Sequence, residues 1–390
     1  MIMNDKPIVA LARCERYDVS LIKAILREHF SALGIDLTTY RGKKILIKPN
    51  LVMKKAPDGA ATTHPAALEA LILLLKEAGC ENICLADSPG GQYVEARLRS
   101  VYRESGMEEL AERTGISLNY DTTFLEVSNP EGSFSKSFNI IRPVYEAEVI
   151  FDFCKLKSHS LTRLSGAVKN LFGCVPGIQK FEMHARFDNV TDFSAMLTDL
   201  CAYVMRGREF VAICDAVYGM EGNGPTAGEP KYIGAILTSR NPFALDALGA
   251  WMIGAEGVDT ILKGEELGYC SAKLEDITVL GEDPEALKPA EFKQPEGCEK
   301  KFLNNFSNIL GGRLVKFFQP HPEINHKKCV GCGECVRSCP VKTIQLVEKK
   351  NGKKVAKIEH LTCIRCYCCQ ELCPFKAVKI KKNPIITLLH

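Results

Sequence analysis

The residues of this chain that are best suited to chemistry are cysteines gathered near its carboxyl end. Two runs share the spacing C-x2-C-x2-C-x3-C-P, and their members are Cys329, Cys332, Cys335 and Cys339 before Pro340, then Cys363, Cys366, Cys369 and Cys373 before Pro374. Thiolates are soft ligands that bind zinc or iron in clusters. A zinc ribbon uses two separated C-x2-C pairs, so two runs of four cysteines favour iron–sulfur chemistry.

Two [4Fe–4S] clusters are the predicted cofactors of these runs. Three thiolates spaced two residues apart fit on one tight loop around a cluster, and the fourth, on a short helix, reaches the other cluster. The predicted ligands of cluster one are Cys329, Cys332, Cys335 and Cys373. Those of cluster two are Cys363, Cys366, Cys369 and Cys339. Cys368 departs from the pattern, and it is interpreted either as a spare thiol beside the cluster or as part of an altered ligand set.

The segment of about residues 325–382 resembles the two-cluster ferredoxins of bacteria. Between the cysteine runs, apolar stretches at residues 344–347 and 355–358 flank Asn351-Gly352, which is typical of a hairpin turn. Residues 377–380 are expected to pair back as another short strand. The resemblance implies a small α+β domain that carries both clusters.

The bulk properties are those of a soluble protein with more than one domain. The chain has 390 residues, of which 46% are hydrophobic and 25% charged, and its net charge of +3 gives no general affinity for nucleic acid. The amino-terminal residues lack the apolar segment of a secretory signal, and the longest apolar stretch, residues 68–75, is too short to span a bilayer. The 18 cysteines therefore favour metal binding in a reducing cytoplasm over disulfides.

Residues 1–285 alternate strand patterns with helical patterns, which predicts an α/β domain with a mainly parallel sheet and flanking helices. The predicted strands include residues 44–47, 83–86, 149–153, 211–214, 233–237 and 277–280. One predicted helix begins near Thr63 with Pro65 in its first turn, and another follows Asn241-Pro242. The rest of the chain is divided into a linker at 286–324, the ferredoxin-like domain at 325–382 and a tail at 383–390.

Polar side chains follow several of the predicted strands, and open α/β sheets bind ligands at that edge. The segments that could meet there are 48–50, 87–91, 155–159, 166–170 and 215–225. Neither a Walker sequence nor G-x-G-x-x-G after a strand is present, so a nucleotide site has no support from motifs. The cations from Lys155 to Lys180, set among apolar residues and glycines, predict a pocket for a carboxylate or a phosphate.

These polar segments resemble, in order, the family called domain of unknown function 362 (DUF362). The matching residues are Lys48-Pro49-Asn50, Asp87-Ser88, residues 155–159, residues 165–170 and the glycine-rich segment from Asp215 to Pro225. The resemblance covers about residues 8–285, and it implies a frequent fusion to a two-cluster ferredoxin module. It implies no established reaction.

One segment also resembles, more distantly, the nickel-pincer lactate racemases. His159, Ser165-Gly166, Lys169 and Pro176-Gly177 follow the order of a segment in that family. The resemblance implies that His159 is an acid/base and that Lys169 anchors a cofactor or substrate. Ala167 replaces a glycine of the family pattern, and no residue matches the family's other catalytic histidine.

The leading functional hypothesis is an iron–sulfur redox protein whose clusters exchange single electrons with a site on the α/β domain, and its enzyme version is an iron–sulfur oxidoreductase. The predicted catalytic residues are Lys157, His159, Lys169 and Asp215. The residues predicted to bind a cofactor or ligand are Lys48, Asn50, Asp87, Ser88, Lys155 and Asn170. The expected partners are an anionic small molecule and a redox protein such as a ferredoxin, a flavodoxin or a reductase.

Two other functions remain open from the sequence. The first is a non-enzymatic electron carrier or reductive activator whose α/β domain docks a client protein. The second is a metallocofactor assembly factor that uses Cys154 and Cys174 beside the basic segment. Residues 300–318 place apolar side chains on one helical face, which predicts packing against either domain, with a basic membrane-surface helix as the alternative.

Overall fold

A computed structural model describes residues 6–298 and 319–381 of the chain. Its strands are β1 (Ile8–Arg13), β2 (Ile45–Pro49), β3 (Ile83–Leu85), β4 (Ser117–Leu118), β5 (Phe124–Ser128), β6 (Ser137–Ile141), β7 (Val149–His159), β8 (Arg163–Ser165), β9 (Glu209–Glu221), β10 (Glu229–Ser239), β11 (Thr278–Gly281), β12 (His321–Ile324), β13 (Ile344–Glu348), β14 (Lys354–Ile358) and β15 (Val378–Lys381). Within these described residues no helix combines the length and the apolar character needed to cross a membrane.

The helices of the described residues are α1 (Val19–Ala32), α2 (Pro65–Glu77), α3 (Glu95–Glu104), α4 (Met107–Thr114), α5 (Arg142–Glu146), α6 (Ala167–Asn170), α7 (Gln179–Arg186), α8 (Val190–Met205), α9 (Pro242–Met252), α10 (Asp259–Glu266), α11 (Pro284–Leu287), α12 (Glu334–Arg337) and α13 (Cys368–Glu371). Short 3₁₀ turns lie at Leu37–Tyr40, Pro57–Gly59, Leu171–Cys174, Leu274–Asp276 and Glu296–Cys298. The amphipathic helix predicted at residues 300–318 falls outside the described residues.

The main sheet has the strand order β11-β1-β10-β9-β7-β2-β3-β4, and β8 pairs with β7. Five of its pairings are parallel, and β1–β10, β10–β9 and β7–β8 are antiparallel. Alternate residues of β7 enter different cores: Ile150 packs on the side of α8 and α9, and Phe151 packs on the side of α1 and α2. The prediction of a mainly parallel sheet with flanking helices is confirmed.

Two predicted helices begin at a proline that follows a capping side chain, as the sequence indicates. Helix α2 begins at Pro65, and the preceding His64 accepts a hydrogen bond from the Ala66 N–H through its ring. Helix α9 begins at Pro242, and the Asn241 side chain accepts from two backbone N–H groups of its first turn. Proline at the first helical position loses no intrahelical hydrogen bond, and the cap satisfies the donors that would remain.

Two central strands are longer than the sequence predicts. Strand β7 continues to His159 with every residue buried, and β9 continues through Asp215 to Glu221. The segments 155–159 and 215–221, expected as loops beyond the strand ends, are therefore strand. Their charged side chains remain in the sheet because they find partners there, as the buried pair of Lys155 and Asp215 shows.

The carboxyl-terminal module consists of two small strand pairs and the short helices α12 and α13. The predicted hairpin is present, with β13 paired antiparallel to β14 across the Asn351-Gly352 turn. Strand β15 pairs with β12 at His321–Ile324, a segment that the sequence pattern left in the linker. Because β12 precedes the first cysteine run, the two ends of the module are joined by backbone hydrogen bonds.

The module packs against the edge of the main sheet where its central parallel strands end. Gln370 donates from Nε2 to the Asn223 carbonyl at 2.8 Å, and the Thr226 hydroxyl donates to the Glu371 carbonyl at 2.7 Å. Leu372 lies against Gly90, since a Cβ on that glycine would come 2.8 Å from a Leu372 methyl group. The second cysteine run therefore faces the end of the sheet where ligands bind in open α/β folds.

Candidate functional site at the junction of the two domains

The cysteines of the module fall into two spatial groups. Cys329, Cys332, Cys335 and Cys373 line one small cavity of about 20 Å³. Burial raises the pKa of the Cys369 thiol, and the neighbouring thiols of Cys366, Cys363, Cys335 and Cys339 raise it further. The cavity thus brings together the four cysteines predicted to hold cluster one, while the ligand set of cluster two stays a prediction.

The sulfur atoms of these groups also receive hydrogen bonds from the backbone. The N–H groups of Ala356, Thr343 and Ala377 donate to the sulfur atoms of Cys329, Cys339 and Cys373 at 3.4, 3.3 and 3.2 Å respectively. Such bonds stabilise thiolates and tune the potential of a cluster. The donor set therefore fits iron–sulfur clusters. Within the described residues, no three His, Cys, Asp or Glu side chains form a site for a single metal ion.

A polar cavity of about 90 Å³ lies between the second cysteine run and the sheet. Its lining from the α/β domain includes Asn50, Asp87, Ser88, Lys157, His159, Ser165, Lys169, Asn170, Phe172, Lys180, Phe181 and His184. Its lining from the module is Cys368, Glu371 and Leu372. The two domains therefore share one enclosed site, which is called the interdomain cavity below.

Three lysines give the interdomain cavity its positive charge. Lys157 donates from Nζ to the Asn50 side chain at 3.0 Å and to the Ala61 carbonyl at 2.8 Å, and burial lowers its pKa to about 7. Lys180 donates to the Ser88 carbonyl, and burial lowers its pKa to about 7 as well. Both ammonium groups are therefore cations that can lose a proton near neutral pH.

Lys169 is the lysine with the least engaged ammonium group. It lies over the rings of Phe172 and Phe193 at 5.4 and 5.7 Å. Among the described residues it has neither a hydrogen-bond acceptor nor an ion-pair partner within bonding distance. Burial lowers the pKa of Lys169, while the charge of Glu371 opposes that change. A half-buried cation of this kind is suited to pairing with an anion that enters the cavity.

His159 and Glu371 connect the two domains across the cavity. His159 Nε2 lies 3.1 Å from Glu371 Oε1, and His159 Nδ1 accepts hydrogen bonds from the backbone N–H groups of Leu161 and Thr162. Because Nδ1 accepts, the proton of the neutral ring lies on Nε2, the ring nitrogen nearer the carboxylate. Burial lowers the pKa of His159 to about 4, so the ring is neutral near pH 7.

A second histidine, His184, forms part of the cavity wall. Its ring stacks on Phe193 with a centroid distance of 4.2 Å and meets Phe172 edge-on at 5.8 Å. Burial lowers its pKa to about 3. A neutral imidazole held between two aromatic rings adds a fixed polar edge to the site without adding charge.

The floor of the cavity is a buried polar network at the carboxyl ends of β2 and β3. Lys48 Nζ lies 2.8 Å from Asp87 Oδ1, and Asn170 Nδ2 donates to Asp152 Oδ1 at 2.6 Å. A Cβ on Gly173 would lie 2.0 Å from Asp87 Oδ1, so only glycine allows this close approach. The Ser88 hydroxyl is buried beside this network and has no hydrogen-bond partner among the described residues.

Lys155 and Asp215 form a separate buried cluster. Lys155 Nζ lies 2.9 Å from Asp215 Oδ2, and the Tyr17 hydroxyl bonds to both side chains. The His64 N–H also donates to Asp215. The pairing of β7 with β9 changes register between Lys155 and Lys157, so these two lysines have different surroundings. Asp215 and Lys155 therefore lie outside the lining of the interdomain cavity, apart from most of the residues predicted to share a site with them.

Comparison with known proteins identifies the larger domain. Residues 45–251 match the model of the family described as domain of unknown function (DUF362). The chain belongs to the DUF362 family. Residues 328–377 of this DUF362 protein match the 4Fe-4S dicluster domain, which makes the carboxyl-terminal module an iron–sulfur binding domain. The family resemblance seen in the sequence is confirmed.

A curated relative of this DUF362 protein is described as a thylakoid-associated protein of Synechocystis sp. It is 29% identical over 322 residues, which is 77% of this chain and 95% of the relative. Among solved structures, the lactate racemase apoprotein of Thermoanaerobacterium thermosaccharolyticum superposes with a TM-score of 0.37 and 14% identity over 64% of this chain and 58% of that one. A Thermotoga maritima protein gives a TM-score of 0.34 and 11% identity over 66% and 60%. Scores of this size carry no information on activity.

Most of the predicted site residues of this DUF362 protein meet in the interdomain cavity. Those that line it are Asn50, Asp87, Ser88, Lys157, His159, Lys169 and Asn170, and Lys48 lies beneath them. The sequence analysis did not select His184 or Glu371. His184 follows no motif, and Glu371 stands inside a cysteine run where only the docking of the module shows its direction.

Two cysteines that the sequence analysis connected with cofactor assembly lie inside the α/β domain. Cys154 and Cys174 are fully buried. Burial raises the pKa of the Cys174 thiol to about 12, and burial also raises the pKa of the Cys154 thiol well above its ordinary value. Both are therefore protonated near neutral pH, and a protonated buried thiol is a poor metal ligand.

Proposed function

We propose that this DUF362 protein is a redox protein in which two [4Fe–4S] clusters exchange electrons with an anionic ligand in the interdomain cavity. The observation that carries the proposal is the shared lining of that cavity: Cys368 and Glu371 of the second cysteine run face Lys157, His159 and Lys169. Cluster two, held by Cys363, Cys366, Cys369 and Cys339, would border the ligand. When bound, the clusters supply one electron at a time.

Charge selects the ligand class in this proposal. Lys169 offers an ammonium group without an acceptor among the described residues, and Lys157 and Lys180 stand at the same cavity. The Ser88 hydroxyl adds a buried donor that lacks a partner among those residues. Transfer of an electron to a bound anion increases its negative charge, and preorganised cations in an enclosed site stabilise such a change more than water does.

The cavity also holds groups that can manage protons. Lys157 and Lys180 have pKa values of about 7, so either Nζ can give a proton to a ligand that gains an electron near neutral pH. His159 is neutral there, and its Nε2 lies 3.1 Å from Glu371 Oε1, so it holds a proton at the boundary between the domains. In this proposal Asp215 orients β7 through Lys155 rather than touching the ligand.

The proposed setting is a reducing cytoplasm, where the thiols of both cysteine runs stay available for metal. The curated relative is described as thylakoid-associated, which adds the proposal that the protein works near a membrane without crossing it. Fractionation of cells, followed by detection of the protein in soluble and membrane fractions, tests this placement.

Anaerobic purification followed by metal analysis and mass spectrometry of co-purifying small molecules tests the function. We expect iron, sulfide and a bound anionic compound. Lys169→Ala should remove the compound and leave both cluster spectra unchanged, while Lys169→Arg should retain part of it because the charge remains. Lys273→Ala, at an exposed lysine of the same domain, is the control. Full occupancy in Lys169→Ala would overturn the ligand site.

One observation favours the electron carrier as a second candidate. Cys332 of the first cysteine group is exposed, so a cluster held there would lie near the protein surface. A carrier needs such a surface but needs no ligand in the interdomain cavity. Protein that is loaded with clusters and exchanges electrons, yet binds no anion at the cavity, would support this candidate over the first.

A further inference from the structure

We propose that the surface over the first cysteine group docks an acidic one-electron carrier protein. This surface, called the cluster-one face, consists of Val330, Leu346 and Phe375 with the cations around them. The inference rests on the proposed function, because it needs clusters that exchange electrons. It adds the partner and the side of the module through which electrons enter or leave.

The centre of the cluster-one face is apolar and exposed. Val330, Leu346 and Phe375 expose 54%, 41% and 47% of their surfaces. All three also line the small cavity bounded by Cys329, Cys332, Cys335 and Cys373. Exposed apolar side chains grouped at one place mark an interaction site, and these three lie directly over the predicted position of cluster one.

Cations surround this apolar centre. Lys328 precedes Cys329 and Lys376 follows Phe375 in the chain. Lys354 packs against Gly331, since a Cβ added to that glycine would lie 2.6 Å from the Lys354 carbonyl. Arg337 and Leu346 both lie beside Gly333, since a Cβ added to that glycine would contact both side chains. Arg337 pairs with Glu334, which lines the same small cavity, and Lys376 pairs with Glu229. Lys328 and Lys354 have no ion-pair partner among the described residues, so they are the cations left for a partner protein. An apolar centre with a charged rim is the usual composition of a protein interface.

The charge of the whole module points to an acidic partner. Residues 319–381 contain 13 Lys and Arg but five Asp and Glu, a net charge of +8, while the whole chain carries +3. An oxidised cluster with its four thiolates adds about two negative charges, so a module loaded with two clusters stays cationic. Opposite charge on a partner accelerates its association and orients it on the cationic face.

The cluster-one face and the interdomain cavity belong to different cysteine groups. Cys368 and Glu371, beside the second group, line the cavity, whereas Cys332 of the first group is exposed. One electron passes between the docked carrier and the module, so that one protein is oxidised as the other is reduced, and no bond forms or breaks. Two successive encounters supply two electrons to the ligand in the cavity.

Stopped-flow mixing of the reconstituted protein with a reduced acidic flavodoxin tests this inference. We expect the second-order rate constant of cluster reduction to fall at least tenfold between 0.05 and 0.5 M salt, as screening predicts. Lys328→Gln combined with Lys354→Gln should lower the rate constant about tenfold at low salt. The matched control, Lys43→Gln combined with Lys273→Gln on the α/β domain, should remain within about twofold of wild type. Phe375→Ser should lower the rate constant while keeping its salt dependence.

Each outcome can be assigned. The docking site would be overturned if the two double variants had equal rate constants of cluster reduction by flavodoxin. Provided that both contained full iron and were reduced normally by dithionite, the proposed function would remain intact. Preparations without iron and sulfide would instead overturn the proposed function. A third outcome is that the Lys328→Gln, Lys354→Gln variant no longer binds vesicles that contain anionic lipid but keeps the flavodoxin kinetics of wild type. That outcome would assign the face to a membrane surface and overturn the carrier proposal.

Discussion

His159 Nε2 and Glu371 Oε1 lie 3.1 Å apart, although one residue ends a strand of the α/β domain and the other ends a helix of the iron–sulfur module. The pair places a carboxylate from the module in a cavity that is also lined by Lys157, Lys169 and Lys180. The docking of the module therefore adds a negative charge to the cavity.

Glu371→Gln should strengthen the binding of anions in the interdomain cavity by about three- to tenfold. The carboxylate of Glu371 now competes with an entering anion for Lys169, and the amide keeps an acceptor for His159 without the charge. Calorimetric titration with acetate and phosphate as probe anions measures the effect. Glu323→Gln, at an exposed glutamate of the same module, should bind as wild type does. Weaker binding in Glu371→Gln would contradict the competition.

The affinity for anions should decrease as the pH rises from 6 to 8. Lys157 and Lys180 have pKa values of about 7 without ligand, and a bound anion raises these values. Both lysines are charged well below pH 7, where anions bind most tightly, and they lose their charge and the anion its affinity as the pH rises above 7. We expect a decrease of about tenfold or more over this interval. Lys180→Met should bind more weakly at pH 6 and show a smaller dependence on pH. An affinity that increases with pH would reject this assignment of charge.

The cysteine groups predict which substitutions remove which cluster. Cys335→Ser should disable cluster one and Cys339→Ser cluster two, since the fourth cysteine of each run is predicted to bind the cluster of the other run, as Cys373 does in lining the cavity of Cys329, Cys332 and Cys335. Wild type should contain about eight iron and eight sulfide per chain, and Cys368→Ser should retain them. Iron and sulfide analysis with electron paramagnetic resonance distinguishes the variants. Stoichiometric zinc without sulfide would disprove the cluster assignment, and loss of iron in Cys368→Ser would make Cys368 a ligand.

Gly173→Ala should destabilise the protein by about 2–4 kcal/mol. The added Cβ would lie within 2.6 Å of both Asp87 and Lys48, whose buried ion pair forms the cavity floor and would have to shift. Denaturant unfolding under anaerobic conditions measures the change in free energy. Gly59→Ala is the control, because nothing lies within 4 Å of its added Cβ. Equal stability of the two variants would show that the floor adapts.

Protonation of His29 should contribute to the loss of stability in mild acid. Burial lowers its pKa to about 4 in the folded protein from an ordinary value of 6.5. Between these values the unfolded chain binds the additional proton, so the free energy of unfolding falls as the pH decreases, by about 1 kcal/mol from pH 7.5 to 5.5. His29→Asn should be less stable at pH 7.5 but lose less stability over this interval. An unchanged pH dependence in the variant would show that other groups are responsible.

Short-range signals in the sequence specify several of the elements and the chemistry predicted for the cysteine runs. Periodicity, Pro65 and Asn241 located two helices, and the Asn351-Gly352 turn located a hairpin, because these signals act within a few residues. The same is true of the cysteine spacing, since three ligands on one loop are a local requirement. Signals of this range can be read from the sequence before the fold is known.

Tertiary structure decided which polar residues share a site. Lys155 and Lys157 look equivalent in the sequence, but a change of register beside β9 joins the first to Asp215 and turns the second to the interdomain cavity. Glu371 enters that cavity only because the iron–sulfur module packs on the sheet edge through contacts between residues more than 100 positions apart. Pairings at such separation depend on the packing of whole elements, and no pattern within a short segment encodes them.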